Sequence, residues 1–233
     1  MGSSRGLSTQ STRERIDREH GMEIRRLDLG HLYVTAQAWP VHGYVIFHEQ
    51  LGVVLVDTGC GGPDALLRHY KVVNRTVSDA LADHGLAPID VKLVVNTHLH
   101  FDHCGQNPAF AHAPLMIQRT EHERILRNRD DVTEWIEASG MRFELLDGDT
   151  ELAGDLRIVT TPGHTSGHQS VVATTDLGTE LFIGDAAYTR AVWNHPDAAR
   201  LPDGQAEDID AWHRSLTDLK TLEPASVHFC HDG

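Results

Sequence analysis

Cysteine is scarce in this 233-residue chain, with only three, at positions 60, 104 and 230. An odd, widely spaced set makes no disulfide framework and no paired-cysteine metal knuckle, so the sequence predicts a reducing compartment, the cytoplasm. Basic residues are also few, 20 against 34 acidic ones, for a formal net charge of −14. Such a surface repels phosphate backbones unless a basic patch is concentrated somewhere. None stands out, which argues against nucleic acid as a partner. No apolar run approaches the roughly 18 residues that a membrane span needs. The opening "MGSSRGLSTQSTRERIDREHG" lacks the apolar core of a secretory signal, and Gly6 stands where myristoylation requires Ser or Thr. Residues 1–21 are read as a flexible tail and 22–233 as a single domain.

What is present is a succession of short β-type runs. "VHGYVIFHE" and "GVVLVDTG" read as strands joined by a tight turn near Gln50–Gly52, with the looser "IRRLDLGHLYVTAQAW" before them. Asp64–Tyr70 reads as a short helix. Residues 75–85 place Val77, Ala80, Leu81 and His84 on one helical face and stop at Gly85. "VKLVVN" and "APLMIQ" are strands, and "RTEHERILRN" is a helix with Glu121 and Glu123 in its first turn. "MRFELLDGDTEL" predicts a hairpin. Three strands follow through "LRIVTTPGHTSGH", "QSVVATTD" and "TELFIGDAAY", then a helix capped by Asp208 or Asp210, then a last strand in "ASVHFCH". Strands grouped early and late with helices between them predict two packed sheets covered by helices.

The stretch "VVNTHLHFDHCGQN" puts His98, His100, Asp102 and His103 within six positions, directly after a buried-strand pattern. Alternate residues of an extended segment point the same way, so His98 and His100 can grip one cation. The turn that follows lets Asp102 and His103 reach a second. Imidazoles with a carboxylate suit zinc, and iron, manganese or cobalt also fit. A chain with 17 histidines can crowd several by chance. The position at the end of a strand, where α/β folds place their sites, favours a centre instead. Two cations need more ligands, and other strand ends supply them: His164 in "TTPGHTSGH", Asp185 in "FIGDAAY" and His231 in "VHFCH". His168 competes with His164. The sharp turn at Pro162–Gly163 favours His164 as ligand and gives His168 a supporting place.

Taken together, "HLHFDHCGQN", "TPGHTSGH", "GDAAY", "CHDG" and the early "VDTGCGG" resemble the metallo-β-lactamase superfamily. Within it, "HFDHCGQN" and "GDAAYT" resemble the N-acyl homoserine lactonase branch, the quorum-quenching lactonases. The resemblance runs from about residue 30 to the end of the chain. It implies an αββα sandwich, a fold of mixed α/β class, with two divalent metal ions at one edge, zinc before other metals. His98, His100 and His164 would hold one ion and Asp102, His103 and His231 the other, with Asp185 bridging. Asp57 would orient a ligand histidine. Tyr188 and Asp102 would assist the opening of a lactone ring by a hydroxide shared between the metals. The implied partner is a small amphiphilic lactone, bound by a monomer or homodimer, and Trp39, Phe101 and Trp193 are expected to border its acyl chain. Two departures stand out. Gln106 replaces a usual glycine, and the family usually continues beyond His231 into a further helix, so the sequence reads either as a shortened chain or as one whose last strand is less braced.

Other readings keep the metals and change the substrate. A glyoxalase-II-like thioesterase or a broad lactonase fits the same ligands. A β-lactamase is disfavoured by the full ligand set, and a tRNA-processing nuclease by the acidic charge. An iron sulfur dioxygenase would use one metal rather than two. A silent metal-binding domain is the reading outside catalysis.

Overall fold

The computed structural model describes residues 22–128, 140–196, 202 and 204–233. The expected tail, 1–21, lies outside the described residues.

Twelve strands among the described residues form two sheets. The larger contains β1 (Glu23–Val34), β2 (Gln37–His48), β3 (Gly52–Val56), β4 (Val73–Asn74), β5 (Val91–Val95), β6 (Leu115–Gln118) and β7 (Phe143–Leu146), in the order β4-β1-β2-β3-β5-β6-β7. The smaller contains β8 (Thr150–Ala153), β9 (Leu156–Thr160), β10 (Gln169–Thr175), β11 (Gly178–Phe182) and β12 (Ser226–His228), in the order β12-β11-β10-β9-β8. The α-helices among the described residues are α1 (Asp64–His69), α2 (Val77–Ala82), α3 (Phe101–Cys104), α4 (Arg119–Asn128), α5 (Arg190–Asn194) and α6 (Ile209–Thr221).

The side-chain alternation of the strands builds the layers. Tyr44, Ile46, Val54, Val56 and Val95 of the first sheet meet Leu156, Ile158, Val171, Ala173 and Phe182 of the second in a shared core. The intervening residues Val45, Leu55 and Val94 point the other way, onto Val77, Ala80 and Leu81 of α2 and onto Phe110. Val172 and Leu181 likewise turn outward onto Trp212, Leu216 and Leu219 of α6. Both faces of the central strands are therefore apolar, which is why "GVVLV" and "VKLVV" read as nearly continuous hydrophobic runs. The result is helix, sheet, sheet, helix.

One expectation is corrected. The segment 141–152 is not a hairpin: β7 runs parallel to β6 in the first sheet, while β8 pairs with β9 in the second. Gly148, at a φ of +97°, lies in the passage from one sheet to the other rather than in a two-stranded turn. The Asp208 cap is borne out, since its carboxylate accepts from the Ala211 amide at 2.9 Å. At the Gln106 departure, the side chain accepts from the Val77 amide at 2.7 Å and donates to the Arg75 carbonyl at 3.0 Å, stapling the start of α2 to the turn after α3.

Candidate metal centre

Five loops meet at one edge of the sandwich, each leaving the end of a strand. They follow β3, β5, β9, β11 and β12, and they carry Asp57, the 98–103 turn, His164, Asp185 and His231. The seven side chains singled out above converge there in two groups. His98, His100, His164 and Asp185 form one, and Asp102, His103 and His231 the other, with potential ligand atoms within 4.8 Å of one another in each. In the first, His98 Nε2 lies 2.8 Å from His100 Nδ1, and His164 Nε2 lies 3.2 Å and 3.0 Å from those two atoms. Nitrogens about 2.0–2.1 Å from a tetrahedral zinc would stand roughly 3.3 Å apart, close to this triangle. In the second, His231 Nε2 is 3.6 Å from Asp102 Oδ2, and His103 Nε2 is 3.9 Å from it.

Asp185 joins the two groups. Its Oδ1 lies 3.2 Å from His103 Nε2 and 3.3 Å from His231 Nε2, and its Oδ2 lies 3.3 Å from His164 Nε2 and 3.7 Å from His98 Nε2. Each carboxylate oxygen thus faces one histidine set.

The outer atoms of the ring nitrogens are already committed. His164 Nδ1 donates to the Gln205 carbonyl at 3.2 Å and His231 Nδ1 to the Pro40 carbonyl at 2.8 Å. His103 Nδ1 donates to Asp57 Oδ2 at 2.8 Å. These bonds leave each inward Nε2 as a lone pair, the state a metal requires. Asp57 also accepts from the Thr97 amide and hydroxyl, both at 2.8 Å, and the same hydroxyl lies 3.2 Å from His98 Nδ1. One buried carboxylate thereby orients a histidine in each set. Asp57 holds this place with a φ of +57°, a left-handed conformation uncommon outside glycine, asparagine and aspartate.

The electrostatics suit a cation. Burial, reinforced by the neighbouring imidazoles, holds His98 well below the usual histidine pKa. Burial pushes His100 and His164 down to about 4. These three are therefore neutral at pH 7, the state in which an imidazole can ligate a metal. Burial opposes charge on His103 and His231 too, but Asp185 overrides it at both, with Asp57 and Asp102 adding to it at His103 and Asp102 at His231, and their pKa values rise. Burial would raise the Asp185 pKa, yet His103, His231 and His164 hold it well below the usual carboxylate range. His103 Nε2 and Asp185 Oδ1 are buried with no hydrogen-bond partner. Buried polar atoms left this way are costly in a protein interior, and an ion between them would satisfy both. The residues therefore fit divalent metal.

His168 takes the supporting place. It is fully buried, its Nδ1 meets the Thr161 hydroxyl at 2.8 Å, and its Nε2 accepts from the Asp185 amide at 3.1 Å. Tyr188 overlooks both sets, with its ring centroid 5.6 Å from His164 and 5.6 Å from His231. Its hydroxyl donates to the Gly204 carbonyl at 2.8 Å, and burial together with Asp185 keeps its proton on above the usual tyrosine range. Trp39 packs edge-on to Tyr188 at 5.7 Å, and Phe101 stacks on Tyr70 at 4.9 Å. Trp193 departs from expectation. It is buried in the apolar layer between the second sheet and α6, under Lys220, because a large indole on a one-turn helix gains most by joining that core. Tyr70 and Gln205 were not singled out from the sequence. Gln205 lies in a polar loop with no periodicity, yet its side chain accepts from the Tyr188 amide and donates to the Asp185 carbonyl. A groove of about 750 Å³ between 22–26 and 175–177 contains none of the seven converging side chains.

The comparisons agree with this geometry. A model of the metallo-beta-lactamase superfamily matches residues 36–231. The N-acyl homoserine lactonase AiiA of Bacillus thuringiensis subsp. kurstaki is 32% identical over 209 residues, covering 83% of this chain and 81% of its own. Among solved structures, a quorum-quenching N-acyl homoserine lactone lactonase is similar at a TM-score of 0.77 with 26% identity, over 92% of this chain and 93% of the other. An N-acyl homoserine lactone hydrolase holding its product N-hexanoyl-L-homoserine at the catalytic metal centre is similar at 0.75 with 25% identity, over 92% and 94%. On the family match and the identity together, the chain belongs to the metallo-β-lactamase superfamily.

Proposed function

We propose that this chain is a metal-dependent hydrolase that opens the lactone ring of N-acyl homoserine lactones. The observation that carries the reading is Asp185, which turns one carboxylate oxygen to each histidine set directly below Tyr188. Two divalent ions, most simply zinc, would be held by His98, His100 and His164 and by Asp102, His103 and His231, with Asp185 shared. When bound, such a pair lowers the pKa of water to about 7 and polarises a carbonyl.

The chain's own residues do the rest. Tyr188, kept protonated, turns its hydroxyl from the Gly204 carbonyl and donates a hydrogen bond to the carbonyl oxygen of the substrate as negative charge develops there, the role of an oxyanion-hole donor. Asp102 has a side chain only 12% exposed and lies at the edge of the His231 set. It takes the proton of the attacking water and delivers it to the ring oxygen as the acyl carbon–oxygen bond breaks. The products are one carboxylate and one hydroxyl on the same molecule, with the second proton of the water released to solvent, so atoms and charge balance with a single water. The half-buried rings of Trp39, Tyr70 and Phe101 at the mouth give an acyl chain apolar surface. Three unpaired, buried cysteines support a reducing compartment for this chemistry, and no described helix is long and apolar enough to cross a membrane.

The test is turnover of homoserine lactones of several acyl lengths, beside S-acyl glutathione, with and without chelator. Lactone opening that stops on chelation and returns with zinc is expected. Preferential cleavage of the thioester would overturn the lactonase reading in favour of the thioesterase.

A further inference from the structure

The turn after β5 and the turn after β9 supply the three histidines of one set, yet no backbone ladder joins the 98–100 turn to the 162–164 turn. A side-chain network on α4 spans the gap. Glu121 has 0% exposure, and its Oε1 accepts from the Leu99 amide at 3.1 Å, the peptide group between His98 and His100. Arg124, one helical turn on, is 4% exposed and grips the same carboxylate at 2.9 Å through Nη2 and at 3.2 Å through Nε. Its Nη1 reaches Glu207 Oε1 at 3.3 Å. The Glu207 amide donates in turn to the Gly163 carbonyl at 2.8 Å and the His164 carbonyl at 3.3 Å. Gly167 lies so close to α4 that a Cβ there would fall 2.2 Å from the Glu121 amide nitrogen.

A buried ion pair is weak evidence for stability, because desolvation offsets most of the attraction. A geometric role accounts for it better. We infer that Glu121 is a positioning residue for the His98–His100–His164 set alone, fixing the Leu99 peptide while Arg124 and Glu207 tie that peptide to the turn carrying His164. This rests on the two-cation reading above. The other set is oriented differently, with His103 on Asp57 and His231 on the Pro40 carbonyl.

The test compares two full-length double variants that both remove the ion pair. Glu121→Gln with Arg124→Met keeps an amide oxygen to accept from Leu99, whereas Glu121→Ala with Arg124→Met does not. Zinc per chain and the two zinc affinities are read by native mass spectrometry and chelator competition. The Gln/Met variant is expected to keep both ions. The Ala/Met variant is expected to bind one of the two 10–100-fold more weakly. That loss should add to the effect of His231→Ala and should add nothing to His164→Ala. A merely structural role would lower both affinities together, and that result overturns the inference. So do two variants that hold both ions like the wild type. A wild-type chain that takes up fewer than two ions overturns the two-cation centre itself, an outcome seen before any variant is made.

Discussion

Asp57→Asn is the sharpest single perturbation of the centre. Asparagine tolerates the left-handed φ of +57° found there, so the backbone is not strained by the change. Volume is conserved as well. What changes is hydrogen bonding in a site where Asp57 is 1% exposed. The carboxylate accepts from the Thr97 amide through Oδ1, and from the Thr97 hydroxyl and His103 Nδ1 through Oδ2, all at 2.8 Å. An amide offers one oxygen. Placed at Oδ1, it turns its NH2 against His103 Nδ1–H. Placed at Oδ2, it turns the NH2 against the Thr97 amide. The first arrangement is relieved only if His103 moves its proton to Nε2, which removes the lone pair a metal needs. A hydrogen bond to a charged group contributes about 1.5–3 kcal/mol, and partners of metal ligands typically govern 10–100-fold in affinity, about 1.4–2.7 kcal/mol. Zinc affinity by competition with a chromophoric chelator should therefore fall by that factor, while the chelated protein loses little thermal stability beyond the lost bond. Wild-type zinc affinity in Asp57→Asn would refute the orienting role.

Three further outcomes are expected. Tyr188→Phe keeps its ring contacts with Trp39, His164 and His231 and loses the hydroxyl with its bond to the Gly204 carbonyl, so kcat on a homoserine lactone should drop by about 10²–10³ at a stability cost of no more than about 1.5 kcal/mol, and unaltered kcat would remove Tyr188 from the reaction. In the chelated protein, burial pushes His168 to about 3 and His100 and His164 to about 4, below their unfolded value, so these groups lend stability above about pH 6.5 that is lost as pH falls toward 4. His103 and His231 are raised and act in the opposite sense, but the lowered histidines, which also include His98, His42 and His228, outnumber them; a melting temperature flat from pH 7 to pH 4 would contradict this balance. Gly163→Ala places a Cβ 2.3 Å from Trp212 Cα at a φ of +138°, so α6 or the His164 turn must move; a loss of stability of more than about 2 kcal/mol in denaturant titration is expected, and a neutral change would show that the turn yields freely.

The layers of the fold were legible wherever both faces of a strand are apolar, because burial leaves its mark on every residue of "GVVLV" and "VKLVV". They were less legible where adjacent runs belong to different sheets. Phe143–Leu146 and Thr150–Ala153 are separated by a turn whose residues suit a hairpin, and only the parallel partner β6, distant in sequence, settles where β7 goes. The candidate ligands were legible only as a set: one histidine or aspartate at a strand end is more often a cap or a packed polar residue, but His164, Asp185 and His231 each close a β run and together complete what the 98–103 turn begins. Their supports were not. Gln205, Glu121 and Arg124 carry side chains that on most surfaces are simply solvated, and what sets them apart is burial against a turn distant in sequence. Trp193 failed for the opposite reason: it was expected to border the acyl chain, while the apolar area of the indole decided for the core.

The division follows from what each kind of residue must satisfy. A ligand has to offer a lone pair at one point, a demand that restricts its chemical type and so marks the sequence. A support has only to meet a particular backbone amide or ring nitrogen, which several side chains can do, and its identity is set by the partner that folding brings to it. Asp57 is the instructive exception. It supports His103 and, through Thr97, His98, and it was legible through the resemblance of the "VDTGCGG" stretch to the superfamily's early aspartate–glycine loop; the structure places it in a left-handed turn at the end of β3, a conformation few charged residues adopt. Where a supporting residue must also accept an unusual backbone conformation, its choice narrows as a ligand's does, and the sequence records it.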